Sequence, residues 1–247
     1  MTVLALALKE FQLYFSSFLF YGLATVFLVL SGVFFYTNLG FFVLMGGMDL
    51  PRGLWQYEFV DLARLLLVLV PLLTMRLFAE ERKLGTLELL WTYPVRDVEI
   101  IAGKFVACLA VVTLMLAGTA VYPLMLVRLY PVAAGPLVAG YLGLWMLAAA
   151  FVACGLFVSA LTENQLLAGA ATYGVLLFFW MITWNEAAMN EVTRNLLLRL
   201  SLFDRFYYSF ALGGVDTGNT SYLAFFTTAF LCFTFFALDA RRWRGVR

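Results

Sequence analysis

Apolar residues fall along this chain in six long blocks, each about 20 residues, separated by polar stretches. A helix of about 20 apolar residues is long enough to cross the ~30 Å hydrocarbon core of a bilayer. The pattern therefore predicts an all-α integral membrane protein in which residues 1–247 form one six-span domain. The predicted spans are about 18–37, 59–78, 103–127, 137–161, 166–184 and 222–238.

The segment before the first predicted span has its own pattern. Its larger apolar residues recur at helical spacing, with Lys9 on a different face: Leu4, Leu8, Phe11 and Phe15. Such a pattern is typical of an amphipathic helix lying in the membrane interface. We predict an interfacial helix over 2–16, with an extension of the first span as the alternative.

Small residues and turn residues mark further features. Gly140, Gly143 and Gly155 in the fourth span, and the run 168–171 in the fifth, favour close approach between helices. Polar and aromatic residues in 38–57 predict an external loop. In the long segment 185–221 we expect a helix over about 186–199, an interfacial stretch at 202–208 and turns at 213–219.

The composition agrees with a membrane protein and narrows its chemistry. Hydrophobic residues make up 64% of the chain and charged residues 13%, against about 45–50% and 25% in soluble domains. The absence of histidine excludes histidine metal ligands and proton relays. The three cysteines lie apart, each in an apolar block, which favours packing over a disulfide or metal site. We expect no cofactor, no metal site and no catalytic residue.

The distribution of Lys and Arg predicts the orientation. With six spans both termini lie on one side, and ten cations fall there: Lys9, Arg76, Arg82, Lys83, Arg96, Lys104, Arg241, Arg242, Arg244 and Arg247. Five fall on the other side, with Arg64 at that rim: Arg52, Arg128, Arg194, Arg199 and Arg205. Cytoplasmic loops carry the excess of Lys and Arg. Both termini and the loop 79–102 are therefore predicted to be cytoplasmic, and 185–221 external.

Two charged residues stand near the outer end of the second predicted span. Asp61 and Arg64 are three residues apart, so they can pair on one face of a helix. We interpret them as an ion pair at the outer rim, with a substrate contact as the alternative. Further along the same span, Pro71 is expected to kink the helix.

The loop 79–102 holds the densest run of charge in the chain. Gly85 can end the helix that leaves the second span, Thr86 can cap a new short helix, and Pro94 stops it. Asp97 can cap the helix that enters the third span. The pattern predicts a short helix held crosswise between two spans. It suits a rigid coupling element and, equally, an interfacial helix resting on lipid.

The same loop carries a family resemblance. Glu80-Glu-Arg-x-x-Gly-Thr-Leu-Glu88, followed by Pro94-Val95 and Gly103-Lys104, resembles the loop signature of ABC type 2 transporter permeases. Towards the C-terminus, the stretch 200–206, Phe210 and 214–216 are similar to permeases of the gliding-motility and copper-enzyme-maturation branches. Asp204 and Arg205 depart from the pattern expected of that branch.

The resemblance implies a permease subunit in a prokaryotic cytoplasmic (inner) membrane. Its expected partners are two cytoplasmic ATP-binding subunits, a second permease copy or paralogue, lipid and an extracytoplasmic auxiliary protein, without nucleic acid. The loop between spans two and three is expected to enter a groove on the ATPase. The ATPase-coupling residues are then Glu80, Glu81, Arg82, Gly85, Thr86, Leu87, Glu88, Leu90, Trp91 and Pro94.

The chain has no Gly-x-x-x-x-Gly-Lys-Ser/Thr loop, so ATP hydrolysis is expected in a partner chain. The predicted function is that of an ABC exporter permease, coupling this hydrolysis to export through a permease dimer. The alternative is a membrane assembly or force-transmitting component that uses the same ATPase but moves no solute. A membrane enzyme is disfavoured, since no acid–base or nucleophile–base pair stands out.

Overall fold

The computed structural model describes residues 3–44, 50–85, 96–127, 134–184 and 190–242, and in these ranges the regular structure is helical. The helices are α1 (Val3–Ser16), α2 (Phe18–Leu44), α3 (Leu50–Thr74), α4 (Ala79–Lys83), α5 (Asp97–Thr119), α6 (Val121–Val127), α7 (Ala134–Leu161), α8 (Gln165–Met181), α9 (Glu191–Leu200), α10 (Leu202–Arg205) and α11 (Thr217–Arg242). A π-helical segment, Phe206–Ala211, follows α10.

Five helical stretches within the described ranges are long and apolar enough to cross a membrane. They are Phe18–Leu44, Leu54–Lys83, Asp97–Leu126, Ala134–Leu161 and Thr217–Ala240. The fifth predicted span, 166–184, corresponds to α8, which is apolar but has only 17 residues. At 1.5 Å per residue α8 is about 25 Å long, slightly less than the hydrocarbon core. The all-helical fold is confirmed, with five stretches in the described ranges that are long and apolar enough to span a membrane.

Helix α7 lies at the centre of the bundle and contacts α3, α5, α8, α11 and the π-helical segment. In its most apolar window 78% of the residues are buried, against 17% for α2 and 22% for α11. Helices α2 and α11 are therefore peripheral, with most of their apolar surface turned outward.

Glycines on α7 allow this dense packing. A Cβ atom at Gly140 would overlap the ring of Phe59, and one at Gly143 would overlap Phe210. A Cβ atom at Gly155 would overlap the side chain of Thr74. The prediction that small residues of the fourth span let other helices approach closely is confirmed.

Contacts along the helices give their relative directions. Phe59 lies against Gly140 and Thr74 against Gly155, so α3 and α7 run parallel. Helix α2 is antiparallel to α3, because Asn38 bonds to Asp61 while Ser17, just before α2, bonds to Arg76. We call the end that contains Ser17 and Arg76 the junction end. The end that contains Asn38 and Asp61 is the opposite end.

The predicted external loop over 38–57 is wrong at both of its ends. Helix α2 continues to Leu44, because apolar residues persist beyond Thr37, the predicted end of the span. Helix α3 already begins at Leu50. Pro51 is compatible with this start, since a residue in the first helical turn needs no intrahelical N–H bond.

Two further helix boundaries differ from the sequence prediction. Helix α5 begins at Asp97 and its N-cap is Arg96, whose backbone N–H donates to Glu99 (3.3 Å), so Asp97 is not the cap. The helix ends at Thr119 and α6 starts after Ala120. Pro123 explains this break, because it has no N–H for the carbonyl of Thr119 and would crowd it.

The predicted interfacial stretch 202–208 packs part of its surface into the bundle, while Tyr208 is exposed. Leu202, Phe206 and Phe210 are fully buried, since Gly143 of α7 leaves room for the Phe210 ring. The predicted turn after this stretch is confirmed: Gly213 has a φ of 83°, and Asp216 accepts from the backbone N–H of Asn219 at 3.2 Å.

Candidate coupling site at the junction end

Helix α4 begins after a short break in the second predicted span. Helix α3 runs through Pro71 and ends at Thr74, and the chain then makes a turn before Ala79. The buried hydroxyl of Ser159, on α7, accepts hydrogen bonds from the backbone N–H groups of Phe78 and Ala79, both at 3.1 Å. One side chain of the central helix thus satisfies two donors at the start of α4 and holds this helix against α7.

Gly85 ends α4. Its φ of 69° lies in the left-handed region, and its backbone N–H donates to the carbonyl of Arg82 at 3.1 Å. Only glycine adopts this conformation without strain, so the predicted role of Gly85 as a helix terminator is confirmed. The segment 86–95, which would form the crosswise helix, lies outside the described residues.

A cluster of buried charges joins α4 to two other helices. The Lys104 ammonium on α5 is 3.0 Å from Glu10 Oε1 on α1 and 2.7 Å from Glu81 Oε1 on α4. The ring of Phe78 lies 5.3 Å from the same nitrogen, and only 2% of the Lys104 side chain is exposed. A buried ammonium is tolerated only with compensating charge. We call Glu10, Glu81 and Lys104 the junction cluster.

Arg82 joins α4 to the turn between α7 and α8. Its guanidinium donates to the carbonyl of Ala160 at 3.1 Å and to Glu163 Oε1 at 2.8 Å. In that turn Asn164 caps α8 by accepting from the backbone N–H of Leu166 at 3.0 Å. A displacement of α4 would therefore also displace the start of α8.

Helix α1 is fastened to the core on one face. Leu6 packs on Gly103, where a Cβ atom would lie 2.9 Å from the leucine side chain. Burial raises the pKa of the Tyr14 phenol well above its usual value, so the hydroxyl stays protonated and donates to the carbonyl of Leu73 at 3.1 Å. Of the predicted apolar face, Leu4 and Leu8 remain exposed, whereas Phe11 and Phe15 pack partly against the core.

A cavity of about 640 Å³ opens between α1 and the α3–α4 junction. Its lining includes Glu10, Glu80, Glu81 and Lys104, together with Arg76, whose guanidinium donates to Ser17 at 2.9 Å. The junction cluster thus borders an open space on one side and the packed core on the other.

Four of the ten predicted coupling residues fall in the described part of the chain. Glu81 belongs to the junction cluster, Arg82 binds the α7–α8 turn, Gly85 ends α4, and Glu80 lines the cavity. The other six lie outside the described residues: Thr86, Leu87, Glu88, Leu90, Trp91 and Pro94.

Sequence reasoning missed the partners of these residues. Glu10, Lys104 and Ser159 were not paired with α4, although Glu10 and Lys104 are charges in strongly apolar surroundings. Such charges require a partner, and that signal could have indicated a pair. It could not have identified which of several acids Lys104 contacts.

The pair at Asp61 and Arg64 lies away from this site. Arg64 Nη1 is 2.7 Å from Asp61 Oδ1, and Asn38 donates to Asp61 Oδ2 at 3.0 Å. Glu58 is buried beside them and accepts a longer bond from Asn38, at 3.4 Å. These contacts join α2 to α3 toward the opposite end.

Replacing Gly85 by alanine tests the end of α4. We expect a loss of about 1–2 kcal/mol, because alanine in the left-handed conformation places its Cβ atom against the backbone. Among the described residues, nothing outside the local backbone lies within 4 Å of that Cβ position, so the loss should come from the backbone alone. Asn tolerates this conformation, so Gly85→Asn should retain most of the thermal stability in detergent. Equal stability of both variants and the wild type would contradict this assignment.

Comparison with known proteins gives the family. A family model described as ABC-2 family transporter protein matches residues 4–208, which is most of the chain. A search of curated proteins found no match. The matched range contains the junction cluster, α4 and the α7–α8 turn. The chain therefore belongs to the ABC-2 transporter family: it is a multi-pass membrane protein, the permease subunit of an ABC transporter, and its family implies partnership with an ATP-binding subunit.

Proposed function

We propose that this permease is an exporter subunit whose loop 79–102 receives the movement of a separate ATP-binding subunit. The observation that carries the proposal is the set of polar contacts around α4, centred on the buried Lys104. This five-residue helix is tied to α1 and α5 through Lys104 and to the α7–α8 turn through Arg82. A force applied to the chain after Gly85 thus reaches four other helices.

The transmission follows from the stiffness of these contacts. Lys104 and Glu10 are both buried, and separating them would leave uncompensated charge in a medium of low polarity, so these two residues move together. A tilt of α4 would draw Glu10 and Lys104 with it and change the angle between α1 and α5. The α7–α8 turn would follow through Arg82. ATP binding in the partner could in this way change the arrangement of the spans.

The proposed topology has six spans, with both termini and the junction end in the cytoplasm of a prokaryotic cell. Helix α8, the fifth span in chain order, is added to the five longer stretches to make six. It starts next to Glu163 at the junction end, and just beyond its last residue Thr183 bonds to Asp204 at the opposite end. The short length of α8 is compatible with a local thinning of the bilayer.

The proposed assembly has two permease chains, either identical or paralogous, and two ATP-binding subunits that carry out all ATP hydrolysis. The resemblance assigns the contact between permeases to spans one and five. Helix α2 is largely exposed, and α8 exposes Leu166, Leu167 and Phe178, so both offer apolar surface for this contact. We also propose that an extracytoplasmic auxiliary protein binds the segment 185–221. We further propose that this permease belongs to the gliding-motility and copper-enzyme-maturation branch of the family.

Co-purification with the ATP-binding subunit tests the coupling loop. The double variant Gly85→Pro, Glu88→Arg should lose the ATPase and its stimulation, because it alters both the end of α4 and the charge of the following segment. Glu191→Arg, an exposed acidic residue on α9, is the matched control and should behave as wild type. A double variant that still assembles with the ATPase and stimulates it would refute the assignment.

Reconstitution separates export from the alternative function. In vesicles containing the permease and the ATPase, we expect ATP turnover to be accompanied by translocation of solute. Turnover without translocation of any candidate solute would favour the alternative, in which the complex transmits force to an external partner.

A further inference from the structure

A second cavity, also of about 640 Å³, lies at the opposite end of the molecule from the junction cluster. It is formed by α9, α10 and the start of α11. Within the described part of the chain, three arginines line it together with a single carboxylate: Arg194, Arg199, Arg205 and Asp204. This lining therefore carries an excess of positive charge, and neither the family nor the proposed coupling mechanism explains this excess.

The guanidinium of Arg205 is held in one orientation. Nη1 donates to Asn219 Oδ1 at 2.7 Å, Nη2 donates to the carbonyl of Arg199 at 3.4 Å, and the group lies 5.1 Å from the centre of the Tyr222 ring. Its buried Nε has no hydrogen-bond partner within the described ranges. An arginine fixed in this way loses little conformational entropy when it binds a further acceptor.

The carboxylate in this lining is engaged by a neighbouring helix. Asp204 Oδ2 accepts a short hydrogen bond, 2.6 Å, from the hydroxyl of Thr183, which follows α8. One oxygen of the Asp204 carboxylate is therefore bonded to the segment that follows α8. The lining thus holds three arginine side chains and one carboxylate that is already hydrogen-bonded.

The location of the arginines is unusual for the proposed topology. Lys and Arg are disfavoured in short external segments, and only five were assigned to the external side. Three of these five line the same cavity. Their convergence, against the topological tendency, indicates an anionic ligand.

Exposed apolar side chains lie on the elements that form the cavity. Val192 and Leu200 on α9 and Tyr208 in the π-helical segment are exposed. A helix with exposed apolar residues and arginines suits the boundary between headgroups and acyl chains. We propose that this cavity binds the phosphate group of an anionic membrane lipid, with the acyl chains lying along Val192 and Leu200.

The test uses the full-length permease in detergent, without the ATPase, so its outcome is independent of the coupling proposal. Binding of short-chain phosphatidylglycerol, short-chain phosphatidylcholine and inorganic phosphate is measured by calorimetry. We expect the wild type to prefer phosphatidylglycerol. The double variant Arg194→Gln, Arg199→Gln should weaken this binding about tenfold or more, because charged hydrogen bonds are lost. Arg96→Gln removes an exposed charge at the junction end and should leave the affinity unchanged.

Two further measurements remain informative even where the double variant does not fold. Arg199→Lys keeps the charge and should retain most of the binding, and salt should weaken phosphatidylglycerol binding to the wild type. Unchanged affinity in the folded double variant, absence of a salt effect, or equal affinity for phosphatidylcholine would overturn the proposal. Binding of inorganic phosphate as tight as that of phosphatidylglycerol would overturn the lipid as the source of the phosphate.

Discussion

Replacing Lys104 by methionine is expected to destabilise the permease by about 3–5 kcal/mol, the cost of removing one partner from a buried ion cluster. Glu10 and Glu81 would then lose the ammonium that both of them contact. For a protein of this size the midpoint of thermal unfolding should fall by about 10 °C in detergent. The measurement is a thermal unfolding curve of the purified protein.

Two comparisons make this result specific to the junction cluster. Lys83→Met removes an exposed lysine close to the same site and should have little effect. The triple variant Lys104→Met, Glu10→Gln, Glu81→Gln removes all three charges and should recover much of the loss, because no uncompensated charge remains in the cluster. A Lys104→Met midpoint no lower than that of Lys83→Met would show that the cluster contributes nothing to stability.

Replacing Gly155 by alanine is expected to destabilise the bundle by about 1–3 kcal/mol through overpacking. The new Cβ atom would overlap Thr74, which is fully buried and bonded to the carbonyl of Val70 at 3.0 Å. Relief would require α3 and α7 to separate along their shared length. Thermal unfolding in detergent, as for Lys104, measures the effect.

The control for Gly155→Ala is a glycine-to-alanine substitution that should not lower stability. Gly174 on α8 is exposed, and a Cβ atom added there would meet no neighbour within 4 Å among the described residues. Alanine there should be neutral or stabilising by up to about 1 kcal/mol, because it favours the helix. Gly140→Ala and Gly143→Ala should resemble Gly155→Ala, since both would overlap aromatic side chains. Equal effects at Gly155 and Gly174 would contradict the packing explanation.

Local chemistry explains which sequence predictions succeeded. Gly85 was predicted to end a helix, and its positive φ requires no knowledge of distant residues. The turn at Gly213 and Asp216 was likewise a local property. The predicted helix end at Thr37 was wrong, because apolar residues continue the first helix. The predicted cap at Asp97 was also wrong, because Arg96 is the N-cap and its backbone N–H donates to Glu99.

The candidate site depends on contacts between residues far apart in sequence. Arg82 and Glu163 are 81 positions apart, and Glu10 and Lys104 are 94 apart. A single sequence states that a buried charge needs a partner but does not say which one. Likewise, the three arginines line one cavity only because α9 and α10 lie beside α11 in the folded protein.

The sequence by itself determined the class of protein, the rough position of its spans and the charged loop between the second and third. These follow from the free energy of transferring apolar and charged groups into lipid, which acts residue by residue. Only the tertiary structure decided that α4 is tied to α1, α5 and the α7–α8 turn through Lys104 and Arg82. Those contacts depend on how the helices pack. The packing depends in turn on glycines such as Gly155, where the missing side chain, rather than hydrophobicity, determines which residue of another helix fits against it.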